Sequence, residues 1–426
     1  MTAYSSAPAT SYTLAGDARG SGLYQRIVLD ALSAMTAGCL RLDLPGGGTR
    51  IIGTPGAETS AHIRVHDPDF FRKCVLFGDV GFGESYVAGD WDTDSIEGVI
   101  EWAILNVEHA PAMSGSKSRR FALNVLQWYN RALHLLRPNS LATSKRNIAE
   151  HYDLGNAFYQ LWLDPTMTYS SGYFSAPGQS LESAQVAKYD ALCRKLLLRP
   201  VDHVLEIGSG WGGFASHAVH HYGCRVTTVT ISEEQFAWAR DRFAREGIAD
   251  RAEIRLVDYR QLQGQYDKVV SIEMMEAIGD RYLETYFAKI HEVLKPHGLV
   301  GVQYITVPDS RHTELKRGVD WIQRHIFPGS LLLSVGRVNQ ALNRTGDLFL
   351  HDLEDMGASY ARTLHAWWER FNSDLPAVRA LGFDDRFIRK WNYYLQYCEA
   401  AFARRNISVV QAVYTRPNNR VLDRAG

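Results

Sequence analysis

A strand that runs directly into a glycine-rich turn and a helix constrains this chain more than any other feature. In residues 203–215, HVLEIGSGWGGFA, an apolar run ends in Glu206 and is followed by Gly208, Gly210 and Gly212. Glycine lets the backbone turn tightly and approach a ligand, and the N-terminus of the following helix offers unpaired N–H groups. The pattern predicts an α/β sheet that binds a flat, polar ligand where this strand meets its helix.

The local sequence is compatible with two cofactor classes and favours one of them. Gly208, Gly210 and Gly213 also fit the GxGxxG pattern of dinucleotide-binding dehydrogenases, which is a weak signal on its own. Glu206 favours S-adenosylmethionine, because a carboxylate attracts the cationic amino group of that cofactor and repels a pyrophosphate. The next predicted strand, residues 225–230, leads into ISEEQ rather than into a single ribose-binding acid. We expect a methyltransferase, with a dehydrogenase or a purely structural turn as alternatives.

Length and charge limit the other possibilities. With 426 residues, 46% of them hydrophobic, the chain is long enough for two domains with substantial cores. Its net charge of -1 gives no global attraction to nucleic acid or to a membrane, so any such attraction has to be local. The five cysteines lack CxxC or zinc-ligand spacing, and no apolar run is long enough to span a membrane. We expect reduced thiols, no metal, and a location in the cytoplasm or at the inner face of a membrane.

The pattern of turns and apolar runs predicts two domains. Residues 1–138 combine helices at 23–36 and 95–106 with short strands between glycine turns, which indicates a small α+β domain. Residues 139–426 alternate strands and helices, and residues 306–347 interrupt them with an insertion expected to form a lid over the ligand crevice. The seven strands of this second domain are predicted at residues 203–207, 225–230, 253–257, 268–272, 299–305, 348–353 and 408–414.

A basic segment precedes the second domain. Between residues 108 and 150 there are seven lysines and arginines and no acidic residue. A helix at residues 119–136 would place Phe121, Val125 and Trp128 on one face. Such a helix suits the surface of an anionic membrane, and it suits a solvated linker packed on the next domain equally well.

A series of longer motifs resembles the cyclopropane fatty acid synthase family. The motifs are HYDLGNAFYQLWLDPTMTYSSGYF, LESAQVAKYDALCRKLLL, VLEIGSGWGGFA, VTISEEQ, YDKVVSIEMMEAIG, DWIQRHIFPG, TLHAWWERF and YYLQYCEAAF. They occur in the order of the family and cover about residues 150–414. The resemblance implies a Rossmann-like class I methyltransferase fold and methyl transfer from S-adenosylmethionine to the double bond of an unsaturated acyl chain.

The resemblance also assigns residues to the cofactor, from its methionine end through ribose to adenine. Each type suits its place, since a carboxylate such as Asp258 accepts from the adenine amino group and a ring such as Tyr259 stacks on adenine. The residues implied are Tyr169, Ser170, Glu206, Gly208, Gly210, Trp211, Gly212, Thr230, Ile231, Gln235, Asp258, Tyr259 and Ile272.

Methyl transfer to an alkene needs an apolar site and one base, because it leaves a carbocation that must be kept from water until it loses a proton. Glu276, in SIEMMEAIG, matches the acid that family members use there, directly or through a bound bicarbonate. Burial raises the pKa of a carboxylate toward neutrality, which suits a base. Aromatic faces stabilise a cation, and the candidates for this role are Trp211, Trp321, Trp367, Trp368 and Tyr304.

The bicarbonate site of the family is only partly retained. Well-known members hold the ion with a Cys, a Glu, a His and a Tyr, and we align these with Ser171, Glu276, Gln303 and Trp368. Ser171 and Gln303 can still hydrogen-bond an anion, so either bicarbonate remains bound or Glu276 accepts the proton itself, and the second outcome is favoured. Cys398 falls where members carry a cysteine, and we expect it to pack in the core rather than to act in catalysis.

The expected product is a cyclopropane, formed when the proton leaves the added methyl group. If a hydride shifts first, the product is a methylene branch or, after reduction by a separate enzyme, a methyl branch. A small-molecule O- or N-methyltransferase and a lipid-binding protein without turnover are the alternatives; the insertion favours lipid, and Glu276 favours catalysis. Expected partners are unsaturated phospholipid chains at a membrane surface and, as an open option, a second copy of the chain, but not nucleic acid.

Overall fold

Residues 12–14, 22–107 and 154–422 are described by this structure, a computed structural model. Two later segments of the chain belong with the amino-terminal region. The first unit comprises Met1–Leu135, Arg317–Ile326 and Phe383–Arg404, and the second comprises Leu136–Lys316, Phe327–Gly382 and Arg405–Gly426. The basic helix predicted at residues 119–136 lies outside the described residues.

The strands are β1 (Tyr12–Leu14), β2 (Cys39–Asp43), β3 (Thr49–Gly53), β4 (Ser60–Val65), β5 (Trp91–Asp92), β6 (His203–Ile207), β7 (Arg225–Thr230), β8 (Ala252–Leu256), β9 (Tyr266–Ile272), β10 (Leu294–Thr306), β11 (Phe349–Asp355) and β12 (Ser408–Thr415). The helices are α1 (Leu23–Ser33), α2 (Asp69–Ala88), α3 (Ile96–Asn106), α4 (Asn156–Trp162), α5 (Leu181–Lys195), α6 (Gly213–Tyr222), α7 (Glu233–Arg245), α8 (Leu283–Val293), α9 (Asp309–Arg317), α10 (Trp321–His325), α11 (Val335–Thr345), α12 (Gly357–Ser373), α13 (Leu375–Ala380) and α14 (Asp385–Ala403).

The first unit is built on a five-stranded sheet in the order β1-β3-β2-β4-β5. Strand β2 pairs antiparallel with β3 and parallel with β4. Leu40 and Leu42 of β2 are buried, as are Ile63 and Val65 of β4, because side chains along a strand point to opposite faces in turn. The helices and short strands predicted for the amino-terminal region are present in this unit.

Within the first unit, α2 packs against α10 at a glycine. A Cβ at Gly83 would lie 2.5 Å from Trp321 Cδ1, so only glycine lets α2 approach this indole so closely. Trp321 is 1% exposed, and its ring centroid lies 4.6 Å from that of Tyr393 on α14. Beside this contact, Glu84 of α2 is 3.0 Å from Nε2 of His325. These contacts explain why residues of the insertion and of α14 belong to the first unit.

The second unit contains a seven-stranded sheet in the order β11-β12-β10-β9-β6-β7-β8. Strands β10, β9, β6, β7 and β8 pair in parallel, and β12 is antiparallel to both of its neighbours. All seven predicted strands and the predicted fold class are confirmed. Strand β10 begins earlier than predicted, at Leu294, and its pairing with β9 shifts register between Leu294 and Leu299. This start contains a Pro and a Gly, which interrupt the run of apolar residues, so the sequence pattern does not predict it as part of the strand.

The central strands of this sheet are apolar because both of their faces are buried. The side chains of successive residues in a strand point to opposite faces of the sheet: Val269 of β9 packs in one core cluster and Val270 in the other. Leu205 and Val204 of β6 divide in the same way. Because the carboxyl ends of parallel strands lie at one edge of a sheet, the residues that follow β6, β7, β8 and β9 converge there.

Part of the insertion between β10 and β11 lies at this same edge. Leu331 N donates to Glu276 O, just after β9, at 2.9 Å, and Val307 N donates to Leu333 O at 2.9 Å. Residues 331–333 therefore lie at the ends of the strands. None of the helices in the described ranges combines the length and the apolar composition that a membrane span requires.

Replacing Gly83 by alanine tests the packing of α2 on Trp321. Gly83→Ala is expected to destabilise the protein by about 1 to 3 kcal/mol, because the added methyl group overpacks this contact. Gly98→Ala is the matched control, since Gly98 also lies in a helix and a Cβ there would meet no atom closer than 3.3 Å. The control should change the free energy of unfolding by less than about 1 kcal/mol. Equal urea midpoints for the two variants would contradict this packing.

Candidate active site

The glycine loop between β6 and α6 is fixed to the neighbouring strand. Gly208 N donates to Val229 O of β7 at 3.0 Å. Gly208, Gly210 and Gly212 have φ of 94°, 49° and 85°, which glycine adopts without strain. Apart from its chain neighbours, a Cβ at Gly210 would meet no atom of the described protein within 4 Å. This face of the loop therefore has room for a ligand close to the backbone.

Glu206 is a buried carboxylate at the start of the loop. It is 2% exposed, and its Oε2 has no hydrogen-bond partner among the described residues. Burial raises the pKa of Glu206 to about 8, and the Thr228 hydroxyl and the charges of Lys188 and Arg242 oppose this shift only in part. A buried carboxylate oxygen without a donor fits a cationic group such as the amino group of S-adenosylmethionine.

The residues implied for the ribose lie where β7 passes into α7. Thr230 Oγ1 donates to Gln235 Oε1 at 2.9 Å, and Ser232 N donates to Thr230 Oγ1 at 3.1 Å. Ile231 lies between them in the chain. The end of β7 and the first turn of α7 thus form one polar corner, which suits a ligand that carries hydroxyl groups.

The residues implied for adenine follow β8. Asp258 accepts from the Arg260 backbone N at 2.9 Å and from its guanidinium at 2.7 and 2.6 Å. A carboxylate has acceptor sites beyond these three, so Asp258 can still accept from an exocyclic amino group. The ring of Tyr259 meets that of Tyr286 edge-on, with centroids 5.2 Å apart. The structure brings both residues to the same edge of the sheet as the glycine loop.

Tyr169 lies in a group of aromatic rings. Its ring centroid is 5.2 Å from that of Trp162, 5.3 Å from that of Trp367 and 6.3 Å from that of Phe327, which belongs to the insertion. Trp367 in turn lies 6.1 Å from Tyr360. The group joins residues of α4, α12 and the insertion, and its ring faces can stabilise a cation in an apolar site.

Helix α5 holds the segment that contains Tyr169 and Ser170. Gln185 Nε2 donates to Ser170 O at 2.8 Å, and Lys188 Nζ donates to Ser170 Oγ at 2.6 Å. Two residues before Ser170, Thr168 Oγ1 lies 2.5 Å from the hydroxyl of Tyr189. These bonds fix the segment that the resemblance assigns to the methionine end of the cofactor.

A carboxylate that the sequence analysis did not single out lies among the predicted anion ligands. The Oε1 of Glu273 accepts from Ser171 N at 2.9 Å and from Gln303 Nε2 at 2.8 Å, and its Oε2 accepts from Tyr360 OH at 2.7 Å. Ser171 and Gln303 are two of the positions predicted to bind bicarbonate. The structure thus places a carboxylate of the chain itself among these donors.

The backbone around Glu273 is held in an uncommon conformation. Glu273 directly follows β9, has φ of 48°, and donates its N–H to Gln303 O at 2.7 Å. A residue other than glycine in this region persists only where its surroundings hold it. A Cβ at Gly208 would lie 3.0 Å from Met274 Cγ, so the turn after β9 lies against the glycine loop.

Glu276 lies in the next turn, Met275–Ala277. Its Oε1 accepts from Ile305 N at 2.5 Å, and its Oε2 has no hydrogen-bond partner in the described part of the chain. Burial and then the charge of Glu273 raise the pKa of Glu276 to about 8. Burial also raises the pKa of Glu273, against the opposing hydrogen bonds of its donors.

The surroundings of Glu273 and Glu276 favour different protonation states. Glu273 has three hydrogen-bond donors, which stabilise its ionised form, whereas Glu276 has one. Neighbouring carboxyl groups with unlike surroundings divide into one base and one acid at a single pH. The Glu273 and Glu276 pair can therefore accept one proton, and Tyr360 links the pair to the aromatic group around Trp367.

Three residues predicted for catalysis make no hydrogen bond to either carboxylate within the described part of the chain, although burial and the charge of Glu276 raise the pKa of Tyr304 to about 12. Trp368 lies two turns beyond Tyr360 on α12, and its ring centroid is 5.8 Å from that of His365. Tyr304 is fully buried in a hydrophobic core cluster of the second unit. Cys398 belongs to α14 of the first unit, where burial raises the pKa of its thiol.

Two further predicted residues lie at the strand ends. Ile272 is the last residue of β9 and pairs with Gln303 of β10. Trp211 of the glycine loop is 3% exposed, and its Nε1 donates to Asn156 Oδ1 of α4 at 2.7 Å. Trp211 thereby connects the glycine loop to the helix that carries Trp162 of the aromatic group.

Sequence reasoning missed Glu273 and Tyr360. Glu273 stands three residues before Glu276 in SIEMMEAIG, and the sequence does not show that its side chain lies against Ser171 and Gln303. Tyr360 shares α12 with Trp367 and Trp368, and no feature of the sequence selects one of these aromatic residues over another.

Comparison with known proteins identifies similar families and relatives. Residues 139–412 match the family model of mycolic acid cyclopropane synthetase. The chain is 36% identical over 387 residues to tuberculostearic acid methyltransferase UfaA1 of Mycobacterium tuberculosis, which corresponds to 85% of this chain and 86% of that protein. It is 38% identical over 364 residues to cyclopropane-fatty-acyl-phospholipid synthase of Escherichia coli, covering 84% and 88% of the two chains.

Solved structures agree with the fold. The cyclopropane synthase MmaA2 of Mycobacterium tuberculosis matches with a TM-score of 0.59 and 28% identity, over 64% of this chain and 98% of that one. The mycolic acid cyclopropane synthase CmaA1, solved with SAH and CTAB, matches with a TM-score of 0.59 and 27% identity over the same shares, 64% and 98%. Coclaurine N-methyltransferase, at 19% identity and a TM-score of 0.60, shares the fold over 79% of this chain and 99% of its own.

A bulky residue at Gly210 tests whether the glycine loop binds the cofactor. Gly210→Val is expected to abolish binding of S-adenosylhomocysteine, because its side chain would fill the space in front of the loop. Gly247→Val is the matched control: Gly247 has φ of 69°, likewise meets no described atom within 4 Å, and lies after the far end of α7. Calorimetric titration would compare the two. Equal affinity loss in both variants, or none in Gly210→Val, would contradict the assignment.

Proposed function

The chain belongs to the mycolic acid cyclopropane synthetase family and is an S-adenosylmethionine-dependent methyltransferase, and on this premise we propose that it methylates the double bond of an unsaturated fatty acyl chain carried on phospholipid. The activity of the family is methyl transfer to lipid acyl chains, and the product we propose here is a cyclopropane. One observation carries the proposal: the Glu273 carboxylate is held by Ser171, Gln303 and Tyr360, and Tyr360 links it to an aromatic group that includes Trp367.

The aromatic group suits a reaction that passes through a carbocation. When bound, S-adenosylmethionine supplies an electrophilic methyl group. An alkene that accepts a methyl group becomes a cation that water would capture. The rings of Tyr169, Trp162 and Trp367 present apolar, electron-rich faces, each of which stabilises a desolvated cation by about 2 kcal/mol.

We assign the proton acceptor to Glu273. Its three donors favour the ionised form, which a base requires, while the pKa of Glu276 is raised to about 8 and leaves that group mostly protonated at neutral pH. The proton leaves the added methyl group for an oxygen of Glu273, and the electron pair of that C–H bond closes the three-membered ring. Glu276 as the acceptor is the alternative.

We further propose that the chain needs no bicarbonate. The donors at Ser171 and Gln303, which were expected to hold that ion, donate to Glu273 instead, as does Tyr360. A second anion in the same place would lie against a carboxylate and would be repelled. The internal carboxylate thus takes the part that an external anion plays in well-known members.

A methylene- or methyl-branched chain is the second candidate product. The relative named tuberculostearic acid methyltransferase supports it, and its identity of 36% is close to the 38% of the Escherichia coli cyclopropane synthase. The branch arises if a hydride shifts to the cation before Glu273 removes a proton, and a saturated branch then requires a separate reductase as partner. The same residues serve both routes.

The lipid products of cells that express the chain test the reaction. Mass spectrometry should show a gain of one CH2 group on monounsaturated phospholipid chains, and proton NMR should show cyclopropane signals. Alkene CH2 signals instead would select the methylene branch. We expect the enzyme to work at the membrane surface, so it should co-sediment with vesicles of anionic phospholipid. Unchanged phospholipids would contradict the proposed substrate.

Amide replacements separate the two carboxyl groups. Glu273→Gln is expected to lower kcat on unsaturated phospholipid by about 10²- to 10⁴-fold, because the amide keeps the size of the side chain but accepts no proton. Glu276→Gln should lower kcat far less, because it replaces a group that is already mostly protonated. Thermal unfolding and S-adenosylhomocysteine binding are the controls, and both should be unchanged.

The outcomes of this pair distinguish the two assignments. A larger loss in Glu276→Gln than in Glu273→Gln would give the base role to Glu276. Near-normal turnover in both variants would contradict a carboxylate base altogether.

A further inference from the structure

Lys188 is a buried lysine that the mechanism above does not use. It lies on α5 and is 0% exposed. Burying an ammonium group is costly unless hydrogen bonds and opposite charges compensate for the lost water. The groups that compensate for it therefore indicate its role.

A dipeptide connects Lys188 to the proposed base. Lys188 Nζ donates to Ser170 Oγ at 2.6 Å, and the N–H of the next residue, Ser171, donates to Glu273 Oε1 at 2.9 Å. The ammonium and the carboxylate are each one hydrogen bond away from the same Ser170–Ser171 pair. Among the carboxylates that act on the charge of Lys188, Glu273 acts most strongly, ahead of Asp164.

The two groups favour each other's charged form. Burial lowers the pKa of Lys188, and the negative charge of Glu273 opposes that shift and favours the ammonium form. Burial raises the pKa of Glu273, and the opposing influences are the Gln303 hydrogen bond, the charge of Lys188, the Ser171 N–H and the Tyr360 hydroxyl. Removing the ammonium would leave the hydrogen bonds alone to hold the carboxylate ionised.

Other ionisable groups face this pair from the surrounding elements. Glu276, in the turn after β9, interacts with Glu273 as a like charge. Asp164 and Glu206 face Lys188 and favour its ammonium form. The charge of Arg242 favours the ionised form of Glu206, and the charge of Lys188 favours that of Glu273.

We propose that Lys188 is a positioning residue that keeps Glu273 ionised for proton abstraction, by holding a buried ammonium against Ser170 while the adjacent Ser171 binds the carboxylate. This inference rests on the proposed function, because it takes Glu273 as the base. If Lys188 only packs α5 against Ser170, its loss lowers stability and leaves the ionisation of Glu273 unchanged.

Neutral replacements of Lys188 test the charge. Lys188→Met removes the charge and the hydrogen bond, and Lys188→Gln removes the charge but keeps a donor for Ser170 Oγ. Lys268→Met is the matched control, since Lys268 is also a buried lysine of the second unit, 2% exposed on β9, with its pKa lowered to about 8 by burial. Its charge interacts with Asp202, Arg199 and Asp267.

The first readout is the pH dependence of kcat/KM, which reports the ionisation of the free enzyme. In both Lys188 variants the acid limb should move to higher pH by about 1 to 3 units, the usual effect of an opposite charge on a carboxylate. Activity lost at neutral pH should return at alkaline pH. Lys268→Met should leave the limb in place. A uniform loss at every pH in both Lys188 variants would overturn the proposal.

The second readout does not depend on turnover. Difference infrared spectra of Lys188→Met and Lys188→Met/Glu273→Gln at neutral pH should show a protonated carboxyl band that disappears with Glu273. The same comparison with Lys188 present should show carboxylate bands. Absence of the protonated band in the Lys188 variants would overturn the proposal whether or not Glu273 is the base. Normal turnover by Glu273→Gln would instead contradict the assignment of Glu273 as the base.

Discussion

The geometry of the site depends on the three hydrogen bonds that converge on Glu273. Its donors come from the segment after α4, from β10 and from α12, through Ser171, Gln303 and Tyr360. A hydrogen bond to a charged group contributes about 1.5 to 3 kcal/mol, so three of them exceed the roughly 1 to 3 kcal/mol that a non-glycine residue with positive φ costs. The network therefore holds the turn after β9 in its left-handed conformation. It also fixes the carboxylate beside the glycine loop and the aromatic group.

Much of the fold could be predicted because buried parallel strands are continuous apolar runs, and those at residues 203–207 and 225–230 coincide with β6 and β7. The position of Glu273 could not be predicted from the sequence, because it depends on a backbone turn that directs this side chain toward donors distant in sequence. The assignment of two later segments of the chain to the first unit could not be predicted from the sequence either. An apolar helix face in residues 383–404 shows that the helix is buried, but not which unit buries it.

Charge balance connects the cofactor loop to the base. Glu206, at the glycine loop, and Glu273, after β9, are both buried carboxylates, and both interact with the ammonium of Lys188. A cationic ligand next to Glu206 adds positive charge to this region and favours the ionised forms of its carboxylates. Cofactor binding is therefore expected to favour the ionised form of Glu273, and an ionised Glu273 is expected to favour cofactor binding.

The most direct test of the internal carboxylate is to remove it and supply an anion from solution. Glu273→Gly suits the positive φ at this position and leaves the donors of Ser171, Gln303 and Tyr360 without their carboxylate. Turnover on unsaturated phospholipid would be measured in carbonate-free buffer and after addition of bicarbonate. We expect an inactive variant whose activity returns with bicarbonate, whereas the activity of the parent protein should not change when bicarbonate is added. Full activity without bicarbonate, or a loss that neither bicarbonate nor formate restores, would contradict this expectation.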